Sequence, residues 1–109
     1  MPADNIGKLH DAKLYAMVLK DVVGLKAEVA SNGFNVSVDT ASYRAAEKTA
    51  ELLNSLVGRQ VATTDEITVK IRPEEGVMEK MTSNKKSFQE ATRLSDFSKD
   101  AFQKNTHSR

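Results

Sequence analysis

The sequence predicts a mostly α fold: a small helical domain with a long N-terminal helix packed on a second helix, a weaker C-terminal helix, and two short strands or extended segments. Three observations carry this. Tyr15, Val18, Val22, Leu25 and Val29 recur at steps of three and four in a stretch without proline. Ala46, Ala50, Leu53 and Val57 repeat that spacing and stop at Gly58. Two runs, Phe34–Asp39 and Ile67–Ile71, alternate apolar and polar residues instead.

The first helix is expected over 6–30, with Asp4 or Asn5 as its cap. Leu14, Leu19 and Val23 widen its apolar seam, and Ser31-Asn32-Gly33 supplies the stop. Phe34–Asp39 reads as a strand or as an extended connector tucked into the helical core. Asp39 or Thr40 is expected to cap the second helix, running from about Ala41 to Val57. Its stripe begins with alanines, which let another helix approach closely, and ends with leucines. Gly58 takes the C-terminal glycine position. Thr63–Glu66 opens either a helix or a strand, and Ile67–Ile71 is β-branched at four of five positions. The two strands can pair with each other or with copies in a partner chain. Pro73-Glu74-Glu75 resembles a first helical turn leading to Val77, Met78 and Met81. Phe88, Ala91, Leu94, Phe97 and Ala101 then mark the C-terminal helix. One domain over 1–103 and a disordered tail over 104–109 are expected.

Composition narrows the function classes. The chain has 109 residues, 16 Lys and Arg against 15 Asp and Glu, and no cysteine. Disulfides, thiolate metal sites and cysteine nucleophiles are excluded. No stretch approaches the ~18–20 apolar residues of a membrane span. Met1–Lys13 has no apolar core of a secretory leader, so a cytoplasmic location is expected. With four Phe, two Tyr and no Trp, large core side chains are scarce, and association is a common remedy in so small a domain.

Motifs of catalysis are weak. His10 and His107 stand far apart without metal-ligand spacing, and no cofactor is expected. No Gly-x-Ser-x-Gly elbow or phosphate loop occurs. Ser55–Arg59 sits at a helix C-terminus, the wrong end for an anion. The acid pairs Asp65-Glu66 and Glu74-Glu75 fall where element termini meet solvent, and the sequence gives no sign of the shared pocket that catalysis by two carboxylates needs.

The first helix is the more informative feature. Leu14, Tyr15, Val18, Leu19, Val22, Leu25 and Val29 form a face broad enough to be shared with another chain. The leading expectation is therefore a non-enzymatic interaction protein, a homo-oligomer through this helix, acting on a protein partner as an inhibitor by occlusion or as a scaffold. A second expectation places a small anionic, nucleotide-like ligand at a subunit boundary. Tyr15 of one antiparallel copy would stack on it, Lys26 of the other would pair with its charge, and Gly24 would allow close approach. A third uses the basic stretch Lys85, Lys86, Arg93, Lys99 and Lys104, with Phe88 or Phe97 stacking on nucleic-acid bases. Glu90, Asp96 and Asp100 interleave with those cations and make nucleic acid the weakest of the three.

Overall fold

The computed structural model describes residues 11–94. The predicted start of the first helix, its caps Asp4 and Asn5, both histidines, Phe97, Lys99, Ala101, Lys104 and the 104–109 tail lie outside these residues.

The architecture is mixed α/β, which corrects the mostly helical expectation. Helix α1 occupies 11–18 and widens into a π-helical turn over Leu19–Val23. Strands β1 (Lys26–Val29) and β2 (Val36–Asp39) follow, then α2 (Tyr43–Val57), β3 (Ala62–Asp65), β4 (Thr68–Ile71), α3 (Val77–Ser83) and α4 (Lys85–Arg93). The strands form one antiparallel sheet in the order β1-β2-β4-β3. β2 and β3 thus run parallel, with β4 inserted between them.

The first helix ends at Val23, not at Ala30. Gly24 adopts a left-handed φ of 83°, and its N–H bonds the Leu19 carbonyl, as does the N–H of Leu25 at 2.9 Å. Leu25 and Val29 therefore lie beyond the helix, Val29 within β1. Their four-residue spacing fits a helix, but it also fits a strand in which Ala27 shares their face and Lys26 and Glu28 point away. The heptad-like seam hid this switch of period.

The second helix begins at Tyr43. Its cap is Ser42, whose Oγ accepts from the Ala45 N–H at 3.1 Å, not Asp39 or Thr40. Gly58, at φ 88°, closes it as expected. Asn54 in its last turn accepts from the N–H groups of Val61 and Ala62, each at 2.8 Å, and donates to the Ala62 carbonyl at 3.0 Å. One side-chain amide thereby fixes where β3 starts.

The register places Ala27, Val38, Val69 and Thr64 in one row of the sheet and Val29, Val36, Ile71 and Ala62 in the next. Most of these are buried beneath the helices. The opposite face carries Lys26, Asp39, Thr68 and Asp65, then Glu28, Ser37, Lys70 and Thr63, and is left to solvent by the helices described. α2 lies over β3 and β4, while the end of α1 lies over β1 and against α3 and α4. The core joins the valines and isoleucine of the sheet to Leu19, Val23, Leu53, Met81 and Phe88. Full burial of a side chain of this size contributes roughly 1.5–3 kcal/mol.

Candidate functional site

The inner stripe of α1 is Ala12, Ala16, Leu19 and Val23, all buried. Two small residues begin it because the helix lies close to its neighbours there. This stripe is displaced from the Tyr15-Val18-Val22 seam, so the larger residues of that seam turn outward. Met17 is 55% exposed, Val22 50% and Leu14 42%, with Val18 half-buried beside them. Among the predicted interface residues, Leu14, Val18 and Val22 reach the surface. Leu19 and Leu25 are buried inside the fold, and Tyr15 and Val29 pack partly against its core. Met17 was not singled out from sequence. Its thioether side chain, at i+3 from Leu14, completes the outer patch.

Tyr15 is engaged with the segment that precedes α3. Its hydroxyl donates to the Glu74 carbonyl at 2.9 Å. Burial pushes its pKa up, helped by the nearby Asp11 carboxylate and, more weakly, by Glu79 and Glu75, while a hydrogen bond from the Met78 backbone opposes the shift. The Glu74 carboxylate binds Arg59 Nε at 3.0 Å and Arg72 Nε at 3.1 Å. Arg59 also donates to the Glu75 carbonyl at 2.8 Å, and Arg72 to the Gln60 carbonyl. Glu74 thus ties the segments after α2 and β4 together. Pro73-Glu74-Glu75 precedes α3, which starts at Val77, instead of forming its first turn.

Gly24 and Lys26 line a common cleft of about 570 Å³, with Asp39, Thr40, Ile67, Thr92 and Arg93. The cleft forms because the β2 end and the C-terminus of α4 are pinned together: Ala41 N–H bonds the Thr92 carbonyl at 2.9 Å, and Ser42 Oγ donates to the Leu94 carbonyl at 2.6 Å. Thr40 closes one wall, its N–H and hydroxyl both donating to the Ile67 carbonyl. Lys26 and Arg93 bring two cations to the rim, and Asp39 one carboxylate, which accepts from Thr68 Oγ1 at 3.0 Å. Tyr15 does not line this cleft, so the three predicted ligand residues separate into Gly24 with Lys26 here and Tyr15 at Glu74.

The basic stretch is partly described. Lys85, Lys86 and Arg93 are exposed on α4, but Phe88 is wholly buried and has no face to offer a base. Among the described residues no group of His, Asp or Glu is arranged to hold a metal ion, and no helix is long and apolar enough to cross a membrane. Comparison of the chain with protein-family models, curated proteins and solved structures finds no match.

Proposed function

We propose that this is a non-enzymatic, cytoplasmic interaction protein that self-associates through its first helix and acts on a protein partner by occlusion or scaffolding. The observation that carries the reading is the outer face of α1, where Leu14, Met17 and Val22 stand exposed in a patch around half-buried Val18. Large apolar side chains grouped on one exposed helix face mark association surfaces more often than the same residues scattered singly. The test is sedimentation of Met17→Asp beside the parent chain. Met17 is at the surface, so the variant is expected to melt with the parent. A parent that sediments as an oligomer and a folded variant that sediments as a monomer is the expected result. A parent that stays monomeric at every concentration overturns the reading.

A second reading is favoured by the cleft. Its volume falls within the ~300–1,000 Å³ of small-ligand sites, and Lys26 and Arg93 suit an anionic group. Binding that favours the native state raises the melting temperature. The expected result is a shift with a phosphorylated metabolite that is lost in Arg93→Ala, and a flat screen of such compounds ends this reading.

A further inference from the structure

The sheet has two edges, and they are treated differently. On β3, hydrogen bonding to β4 alternates so that Ala62 turns its N–H and carbonyl outward. Both are taken by Asn54, while the outward groups of Thr64, next in the alternation, have no such partner among the described residues. On β1, the bond from the Ala30 N–H to the Asn35 carbonyl (2.8 Å) sets the alternation: Lys26 and Glu28 bond β2, while Ala27 and Val29 turn their groups outward. The Ala27 N–H is held by the Leu25 carbonyl at 3.0 Å in a tight turn. Among the described residues the carbonyl of Ala27 and both groups of Val29 have no backbone partner, and no strand lies beyond β1. An exposed edge of this kind is a template for another strand.

A groove of about 280 Å³ runs along this edge, lined by Lys20, Leu25, Lys26, Ala27, Glu28 and Asp39. Lys20 reaches it from α1, and Met17 precedes Lys20 by about one turn on the same side of that helix. The open edge and the exposed apolar patch are therefore neighbours.

Charge selects the occupant. A two-fold antiparallel pairing of β1 with itself can centre on Lys26, on Ala27, on Glu28 or on Val29. Centring on Lys26 or on Glu28 sets two like charges opposite each other, which is unfavourable. Centring on Val29 pairs no charges. Centring on Ala27 sets Lys26 opposite the partner's Glu28, and Glu28 opposite the partner's Lys26, on the open face of the sheet. Opposite-charge cross-strand pairs of this kind favour the register that forms them.

We propose that two copies of this chain join through β1, antiparallel about a two-fold axis at Ala27, making one continuous sheet across both copies with their α1 helices on the same side. This rests on the self-association proposed above and adds its geometry. Val29 then donates to the partner's Leu25 carbonyl, and the Ala27 N–H exchanges its turn bond for the partner's Ala27 carbonyl.

The chain has no cysteine, so single cysteines report pairing without background. In this register Lys26 and the partner's Glu28 form a non-hydrogen-bonded pair, with Cα atoms ~4.5 Å apart, inside disulfide range. Lys26→Cys and Glu28→Cys proteins, mixed and mildly oxidised, are expected to give a disulfide-linked heterodimer, while neither links to itself. Self-linking of Glu28→Cys overturns the Ala27 axis. If nothing links although the parent sediments as a dimer, the Ala27-centred pairing is overturned and helix-mediated association stands. If the parent sediments as a monomer and nothing links, both fail.

Discussion

The two edges of the sheet meet the same physical problem in opposite ways. At the start of β3, the amide of Asn54 supplies to Ala62 the donor and acceptor that a neighbouring strand would have supplied, and Glu74 bridges Arg59 and Arg72 behind it. At β1 the outward groups meet no element of the described chain, and the adjoining helix exposes apolar side chains. The difference teaches that a polar side chain on a helix can finish a sheet within one chain. At β1 no described side chain does this, and the proposed pairing with a second copy would supply the partners instead.

The sharpest way to break the contrast is to open the closed edge. Asn54→Ala leaves the N–H groups of Val61 and Ala62, both in buried residues, without partners. Unsatisfied buried donors cost about 1–3 kcal/mol each, so a loss of roughly 2–4 kcal/mol is expected in denaturant unfolding. A change within ~0.5 kcal/mol would mean that the amide does not terminate the edge.

A smaller effect is expected at Tyr15, which fastens α1 to the Glu74 segment of the closed side. Tyr15→Phe removes one hydrogen bond, about 1 kcal/mol at neutral pH. The alkaline limb is more diagnostic. Because burial raises the folded-state pKa above 10.0, the hydroxyl is neutral in both states below that value and its contribution is intact. As pH rises past it, the unfolded chain loses the proton first, and stability falls. Melting curves of the parent should therefore steepen downward with pH beyond that of Tyr15→Phe, and parallel curves would contradict the buried hydroxyl.

The smallest effect lies at the tip of the β3–β4 hairpin. Glu66 has a positive φ of 57°, where an L side chain is disfavoured. Glu66→Gly relieves that strain while adding freedom to the unfolded chain, and a net gain of about 0.5 kcal/mol in thermal unfolding is expected. A loss instead would show that the Glu66 side chain stabilises the turn.

Much of the local structure was legible. Gly58 ends α2 because a left-handed residue is needed there, and the alternation of 36–39 and 68–71 produced paired strands as its period required. β1 was missed because a four-residue repeat satisfies helix and strand alike, and β3 because Ala62–Asp65 buries only one side chain and so shows no alternation. Of the residues that the spacing put on one helix face, Val18 and Val22 reach the surface together with Leu14 beside them, but the choice of inner stripe went to the larger residues, while the fold buries Ala12 and Ala16.

By itself, the sequence determined where helices and strands are permitted, since periodicity, glycine and capping residues act over a few bonds. It also settled that no cysteine chemistry is available to this chain. Only the tertiary structure decided which face of α1 turns inward, that Gly24 ends that helix in a π turn, and that Asn54 takes the outward groups of Ala62 at one sheet edge while those of Val29 at the other find no backbone partner among the described residues. Those outcomes depend on contacts such as Gln89 with the Val23 carbonyl, 66 residues apart, which no local pattern encodes.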